Sequence, residues 1–235
     1  MTRTRRRAAS ATEGGTSAFT LIELLVVIGI IGLLLGIAVP TISQALRSAD
    51  ATKTLARIKT LSGGAEQFHN DHQYYPGQKQ QSKPGWGDTG PQWLAYEMFT
   101  EKGQEPDPWE PGTNTYIPYK DDWFCPYDDD PLSPYNRNNV LSDGFGRPRA
   151  ILYWPSIIGG DPDGSDKGTV DKVYRFDDCR PLVRAHQTPD IDKFREFAWD
   201  ERFNKVRNHD SYLLLGAGPD RKYFTGDDIS NTGGS

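Results

Sequence analysis

The chain has 235 residues, of which 36% are hydrophobic and 25% charged, and its formal net charge is −5. This length suits one ordinary globular domain with an additional segment. Apart from arginines near the N-terminus, the basic residues do not gather in one stretch, which argues against a nucleic-acid-binding surface, and no nucleic acid partner is expected.

The N-terminus has the composition of a leader. Four of residues 3–7 are arginine, and a small and polar stretch follows as far as Ala18. Positive charge that precedes an apolar segment favours retention of that end in the cytoplasm. Residues 1–18 are therefore predicted to be a basic leader on the cytoplasmic side of a membrane.

Residues 19–39 form an almost wholly apolar segment. As a helix with a rise of about 1.5 Å per residue, this segment is long enough to cross a hydrocarbon core of about 30 Å. The alternative is an ordinary secretory signal that is cleaved near residues 36–38. Glu23 argues against it, because a carboxylate is costly in a membrane and an export signal has no use for one. We predict a transmembrane helix, with the rest of the chain translocated.

The start of this segment carries a family signature. Residues 19–28, FTLIELLVVI, resemble the cleavage and methylation segment of type IV prepilins and type II secretion pseudopilins. The resemblance implies that a prepilin peptidase/methyltransferase cuts between Ala18 and Phe19 and methylates the new Phe19 amine. The family usually has glycine before the cut, where this chain has Ala18.

The resemblance also assigns two assembly residues. Glu23 stands where the family has a glutamate that meets the amino terminus of a neighbouring subunit. Pairing a carboxylate with an ammonium in an apolar bundle offsets much of their desolvation and disfavours other registers. Pro40 matches a family proline, and inside a helix a proline removes one backbone hydrogen bond and favours a bend. A simple helix break at the membrane edge is the alternative for Pro40.

Residues 40–72 continue the helix in amphipathic form. Apolar residues recur there at mostly three- and four-residue steps from Ile42 to Phe68. Gly63 and Gly64 each lower helix propensity by about 1 kcal/mol relative to alanine, so we expect the helix to loosen near its end. Residues 73–235 are predicted to be an extracytoplasmic globular domain.

The globular domain should contain a small antiparallel sheet. Its pattern of helical spacing and of apolar runs predicts helices at residues 93–99 and within 191–206, and strands at 151–154, 170–176 and 212–215. With the long helix, these elements predict an α+β fold with long loops. The prepilin resemblance implies a type IV pilin-like fold in which the long helix packs against the sheet.

A turn precedes the first of the longer strands. Residues 143–148, DGFGRP, resemble the D-x-W-G-x-P turn of major pseudopilins, with Phe145 in place of tryptophan. In that comparison the turn and the final strand lie closer together in sequence. Residues 155–210 therefore look like an insertion in this chain.

The C-terminal residues 216–229, GAGPDRKYFTGDDI, resemble the calcium-binding loop that closes the pseudopilin domain. Hard oxygen ligands of this kind suit calcium or magnesium rather than zinc. The implied oxygen ligands are the carboxylates of Asp220, Asp227 and Asp228 and the carbonyls near Leu215 and Tyr223. Arg221 and Lys222 stand where the family more often has glycine or an acid. A plain solvated Asp-Gly turn is the alternative.

The two cysteines, Cys125 and Cys179, are far apart in sequence and lack metal-ligand spacing. They could form a disulfide in an oxidising compartment or remain free thiols. The sequence contains no Gly-x-Ser-x-Gly elbow, phosphate-binding glycine loop or paired zinc motif. We therefore expect a protein that is not an enzyme.

The prepilin resemblance implies a structural subunit of a type IV pilus-like or type II secretion pseudopilus filament. The expected partners are other pilin or pseudopilin subunits, the prepilin peptidase, the inner membrane and its assembly platform. The subunit would cross the inner membrane once, with a cytoplasmic N-terminus before processing and a periplasmic or extracellular domain. The alternative is a membrane-anchored binding module or enzyme that keeps the prepilin segment only for delivery.

Overall fold

The computed structural model describes residues 19–79, 89–99, 114–118, 120–125 and 140–232. The chain divides into a first unit that ends at Ala45 and a second unit that begins at Leu46. The predicted leader, residues 1–18, lies outside the described residues, and so does Ala18.

The predicted long helix is confirmed as one element, α1, Leu21–His72. Pro40 lies inside α1, and the helix also continues through Gly63 and Gly64 without the expected loosening. It ends where Gln73 adopts a left-handed φ of 63° and donates its backbone N–H to the His69 carbonyl at 2.7 Å. A left-handed residue with such a bond is a common helix C-terminus.

The first unit consists of residues 19–45 in the described part of the chain. The apolar side chains here remain exposed, as at Leu33, which is 67% exposed. Helix α1 is long and apolar enough to cross a membrane, and its most apolar part is not buried among the residues that the structure describes.

The second unit combines short helices and strands with the later part of α1. Its helices are α2, Gly90–Phe99; α3, Val170–Val173; α4, Arg180–Arg184; and α5, Ile191–Ala198. Its strands are β1, Phe124–Cys125; β2, Val140–Leu141; β3, Leu152–Pro155; β4, Trp199–Asp200; β5, Lys205–Val206; β6, Tyr212–Gly216; and β7, Ile229–Ser230. Short 3-10 turns occupy Asp121–Trp123, Lys167–Thr169 and Phe176–Asp178.

The strands pair in an antiparallel manner. β6 lies between β3 and β7, with Tyr153 opposite Leu214 and with Leu215 opposite both Leu152 and Ser230. β1 pairs with β2, and β4 pairs with β5 as a separate hairpin. The predicted strands at residues 151–154 and 212–215 and the predicted helix at 93–99 are therefore confirmed.

Both faces of the β3–β6 pair are buried. Because side chains alternate along a strand, Tyr153 and Leu214 face a cluster that includes Leu61 and Phe68 of α1 and residues of α2. The other face packs against the segment between β3 and β6, and the main contributors are Leu152, Trp154, Leu213, Leu215, Val173, Leu182 and Phe194. Burial on both faces explains why the two strands read as continuous apolar runs.

The segment that looked like an insertion in sequence therefore covers the second face of the sheet. The strand predicted at residues 170–176 is wrong: α3 and a 3-10 turn occupy this stretch. Asp166 caps the preceding turn by accepting a hydrogen bond from the Gly168 N–H at 2.9 Å. Val170 and Val173 are three residues apart, so both lie on the buried face of a helix.

The predicted helix within residues 191–206 is correct only in its first half. Asp190 caps α5 by accepting from the N–H groups of Asp192 and Lys193 at 3.1 and 3.2 Å. The remainder forms the β4–β5 hairpin, in which Asn204 adopts a φ of 49°. Left-handed asparagine is typical of a hairpin turn. The architecture is α+β, with a long N-terminal helix and small antiparallel sheets.

Candidate functional site

The N-terminal end of α1 is closed by a reciprocal pair of side chains. The Thr20 backbone N–H and hydroxyl both donate to Glu23 Oε2 at 2.8 Å, and the Glu23 N–H donates to Thr20 Oγ1 at 3.3 Å. This arrangement is a capping box, which satisfies N–H groups that a helix start leaves without partners. Glu23 thus has a local structural role in addition to the predicted assembly role. The side chain of Phe19, the residue before Thr20, is exposed.

Hydroxyl groups bond to the backbone around Pro40. Thr41 Oγ1 donates to the Ala38 carbonyl at 2.8 Å, and Ser43 Oγ donates to the Val39 carbonyl at 3.0 Å. Because proline has no N–H, one carbonyl in the preceding turn lacks its helical donor. That carbonyl belongs to Gly36, four residues before Pro40, whereas the two hydroxyls bond to carbonyls three and four residues before their own positions, an arrangement that often bends a helix.

The turn at residues 143–148, here called the Asp143 turn, is fixed to the later part of α1. The buried Arg57 donates through Nη1 to the carbonyls of Ser142 and Asp143 at 2.9 and 2.7 Å, and through Nη2 to Asp122 Oδ2 at 2.8 Å. Gly144 donates its N–H to Thr54 Oγ1 at 2.9 Å. A Cβ at Gly144 would come within 2.7 Å of the Lys53 side chain, so this close approach requires glycine.

The Asp143 carboxylate organises the same turn from inside. Asp143 Oδ1 accepts from the N–H groups of Phe145 and Arg149 at 3.2 Å each, and Oδ2 accepts from Arg221 Nη1 at 2.5 Å. The Asp143 side chain is fully buried. Burial raises the pKa of Asp143, although Arg221 and the two amides oppose that rise. The carboxylate is thus a buried anion held by one cation and two amides.

Arg221 joins the Asp143 turn to the C-terminal loop, which we define as residues 217–228. The residue adopts a left-handed φ of 63°, and its guanidinium lies 4.8 Å from the centre of the Phe145 ring. It also donates to the Arg147 carbonyl. In the sequence, Arg221 stands out only as a departure from the family pattern, which does not indicate its contact with Asp143. The signal in the sequence is a pair of adjacent cations, Arg221 and Lys222, inside an acidic loop.

Within the C-terminal loop, Thr225 holds two of the predicted metal ligands close together. The Thr225 hydroxyl donates to Asp227 Oδ1 at 2.7 Å, and the Thr225 N–H donates to Asp228 Oδ2 at 2.9 Å. The Asp220 N–H donates to Asp227 Oδ2 at 2.9 Å, while Asp220 Oδ1 accepts from the Lys222 N–H at 2.8 Å. All three aspartates therefore lie in one loop, and each accepts hydrogen bonds from that loop.

The two adjacent aspartates differ in their acidity. Burial raises the pKa of Asp228 to about 6, even though loop amides donate to the carboxylate. Burial acts in the same direction on Asp227, but hydrogen bonds from Thr225 and Asp220 outweigh it and lower the pKa of Asp227. Both side chains are anionic near neutral pH, when they can act as cation ligands.

The two predicted carbonyl ligands are buried and already take part in the protein fold. Leu215 lies in the middle strand of the sheet, and the Tyr223 carbonyl accepts from Gln187 Nε2 at 3.2 Å. In the described part of the chain, no group of three or more His, Cys, Asp and Glu side chains is arranged to hold a metal ion. The oxygens that the loop offers to a cation are the carboxylates of Asp220, Asp227 and Asp228 and its backbone carbonyls.

Both cysteines are buried free thiols in this structure. The Cys179 thiol donates to the Tyr153 carbonyl at 3.1 Å, and burial raises the pKa of Cys125 to about 12. Of the two alternatives for the cysteines, the structure shows free thiols. Burial raises the pKa of both thiols, which makes them poor nucleophiles.

Comparison with protein family models, with curated proteins and with solved structures finds no match.

Proposed function

We propose that the chain is a filament subunit of the type IV pilus or type II secretion pseudopilus class. In this proposal the first part of α1 crosses the inner membrane once before assembly. Residues 73–235, together with the later part of α1, lie in the periplasm or outside the cell. The observation that carries the proposal is the apolar first part of α1, whose side chains are exposed in the protein by itself.

The exposed apolar surface needs a non-aqueous partner. Leaving many large aliphatic side chains in water is unfavourable by about 25 cal/mol per Å² of apolar surface. A lipid bilayer covers this surface before assembly, and the same helix of neighbouring subunits would cover it in a filament core. Such a helix, apolar all round, is typical of a membrane span or of a helix buried among others.

The helix start supports the assembly step of the proposal. Cleavage between Ala18 and Phe19 would leave an ammonium one residue before Thr20, whose N–H and hydroxyl already bond to Glu23. In the proposed filament, Glu23 accepts the amino terminus of a neighbouring subunit. A carboxylate already held by one threonine is oriented for that contact with less loss of side-chain freedom.

A pair of Glu23 variants separates charge from helix capping. Glu23→Gln keeps an acceptor for Thr20 but removes the charge, whereas Glu23→Ala removes both. When either variant is expressed beside the wild-type chain, we expect normal insertion and cleavage but impaired incorporation into filaments. Incorporation is measured by immunoblotting sheared filaments. Normal incorporation of Glu23→Gln would contradict the charge pairing.

The relation to the major pseudopilin of type II secretion is the more specific part of the proposal. It is supported by the Asp143 turn and by the aspartates of the C-terminal loop. We also propose that this loop binds calcium through Asp227 and Asp228, with Asp220 and backbone carbonyls near Leu215 and Tyr223 as further oxygen donors. The hard oxygen donors and the shared position of the two carboxylates around Thr225 fit that cation.

A further inference from the structure

A side-chain amide from the segment between β3 and β6 pairs with the backbone of the C-terminal loop. Gln187 Oε1 accepts from the Tyr223 N–H at 2.9 Å, and Gln187 Nε2 donates to the Tyr223 carbonyl at 3.2 Å. Both backbone groups of one loop residue are thus bonded to one side chain. Because hydrogen bonds weaken steeply when they are misaligned, two such bonds fix the orientation of the Tyr223 backbone more strictly than one does.

Gln187 is itself supported by the core of its own segment. It follows α4, and its backbone N–H donates to the Val183 carbonyl at 2.9 Å. Leu182 and Val183 are fully buried, so α4 is anchored among the apolar side chains that cover the second face of the sheet. The Gln187 side chain is half-buried. Its amide therefore meets the C-terminal loop from a fixed support.

The next residue of the loop is held by the same segment. Phe224 has a left-handed φ of 61°, which is rare for a bulky residue. The centre of its ring lies 6.2 Å from the ring centres of both Phe194 and Phe197 of α5. Backbone strain of this kind persists where surrounding contacts hold the residue in place. Two consecutive loop residues are thus fixed by the segment between β3 and β6.

This fixed stretch of the loop leads directly to two of the predicted cation ligands. A peptide unit is planar, so a bond that orients the Tyr223 carbonyl also orients the Phe224 N–H. Burial raises the pKa of Asp228, and the N–H groups of Thr225 and Phe224 oppose that rise by bonding to its carboxylate. The Thr225 hydroxyl donates to Asp227 Oδ1 at 2.7 Å. The backbone that the side-chain amide orients therefore carries donors to both carboxylates.

We propose that Gln187 is a positioning residue for calcium at the C-terminal loop. The inference rests on the calcium site proposed above, and it gives residues 155–210, which look like an insertion in the pseudopilin comparison, a role in cation binding. A carbonyl oxygen has two lone pairs, so Tyr223 can accept from Gln187 and still contribute to a cation. Hydrogen bonds that orient metal ligands increase affinity, and their loss typically weakens metal binding by about 10- to 100-fold.

A second glutamine provides a matched control. Gln78 is also half-buried, and its side chain accepts from the Tyr75 N–H at 2.7 Å and donates to the Ser156 carbonyl at 3.0 Å. Ser156 follows the end of β3 that lies opposite Tyr212, whereas the C-terminal loop follows the other end of β6. Gln78 thus makes hydrogen bonds of the same kind at the end of the sheet away from the loop.

Calcium titration of two matched variants tests the proposal. Methionine keeps the unbranched shape of glutamine but cannot make these hydrogen bonds. The full chain is reconstituted in nanodiscs of phosphatidylcholine, which has no net charge, and titrated with calcium chloride by isothermal calorimetry under conditions in which every variant is folded. Gln187→Met should weaken calcium binding by about tenfold or more. Gln78→Met should leave the calcium dissociation constant unchanged, although both variants should lower the melting temperature in EDTA by similar amounts.

Hydrogen–deuterium exchange gives a second readout that needs no bound calcium. In EDTA, peptides from residues 217–228 should exchange faster in Gln187→Met than in the parent chain, because the loop backbone has lost a fixed partner and opens more often. Gln78→Met should leave the exchange of these peptides unchanged.

The inference is overturned if Gln187→Met binds calcium as tightly as the parent, if its loop exchanges no faster, or if Gln78→Met weakens calcium binding as much. A parent chain that binds no calcium would overturn the proposed calcium site together with this inference. A parent that binds calcium, with equal affinity in Gln187→Met, would overturn only the role of Gln187. Binding is measured on single chains in nanodiscs, so neither result depends on cleavage or filament assembly.

Discussion

The two parts of α1 have the same backbone conformation but opposite surroundings. Residues 21–45 keep their apolar side chains exposed, whereas the part after Leu46 buries Ile58, Leu61, Ala65 and Phe68 against α2 and the sheet. Helix propensity alone does not separate them, because both parts are helical. The difference lies in the pattern: the first part is apolar all round, and the second has one apolar face. A helix that is apolar on every side requires apolar surroundings, which the described residues of the chain do not provide.

A single lysine placed in each part should have the largest effects, of different kinds. Ile31→Lys puts a charge in the proposed span, which is unfavourable by about 2.5–3.5 kcal/mol at a helix centre, so membrane retention should fall. Ile58→Lys puts a charge at a position that is 1% exposed and should unfold the second unit while retention persists. Carbonate extraction and circular dichroism measure the two outcomes. Unfolding of the second unit by Ile31→Lys would contradict the claim that the first part of α1 does not contribute to folding of the second unit.

Loss of the contact between Asp143 and Arg221 should have the next largest effect, on the free energy of unfolding. Removing one partner of a buried ion pair costs about 3–5 kcal/mol, because the remaining charge is left without its partner. Asp143→Ala and Arg221→Ala should each lower the free energy of unfolding in urea by an amount near the lower end of that range. The double variant should lose clearly less than the sum of the two.

An exposed ion pair provides the control for these single and double variants. Lys172 and Asp161 lie 3.1 Å apart, and both side chains are more than half exposed. Their removal should produce no measurable change in the unfolding midpoint, because solvent screens such pairs. Additive effects at Asp143 and Arg221 would show that the C-terminal loop and the Asp143 turn are held together by other contacts.

Calcium should stabilise the folded chain through the C-terminal loop. A ligand at about 100 times its dissociation constant adds roughly 2.7 kcal/mol to the free energy of unfolding, so the melting temperature should rise. Asp227→Ala should abolish that rise, whereas Asp163→Ala, in a different exposed turn, should preserve it. Differential scanning fluorimetry with calcium and with EDTA measures both. A parent chain that does not respond to calcium would remove the proposed cation site.

Alanine substitutions at the adjacent glycines of α1, Gly63 and Gly64, should have the smallest effects on stability, and these effects should be opposite in sign. A Cβ at Gly63 meets nothing within 4 Å, whereas a Cβ at Gly64 would lie 2.5 Å from Ile117 Cγ2. Gly63→Ala should therefore stabilise the fold by about 0.5–1 kcal/mol through helix propensity. Gly64→Ala should destabilise it by about 1 kcal/mol or more through overpacking. Equal effects in thermal denaturation would contradict the packed face of α1.

Local pattern was sufficient to predict the long helix, α2, β3 and β6, because each has a clear period or apolar run. It was insufficient at residues 170–176, where Val170 and Val173 fit a strand or a helix equally well until Asp166 caps the turn before them. The role of the segment between β3 and β6 also depends on tertiary contacts, since the local sequence does not show that this segment buries Trp154 on the second face of the sheet. The contact between Arg221 and Asp143 could not be predicted, because the two residues are 78 positions apart in the chain.

The most direct measurement is the intact mass and N-terminal sequence of the membrane-extracted protein, from cells with and without their prepilin peptidase. The proposed filament role predicts a chain that begins at N-methylated Phe19 when the peptidase is present, and a chain that retains the leader when it is absent. A chain that begins near Val39 in both strains would show an ordinary secretory signal and would contradict the retained apolar helix.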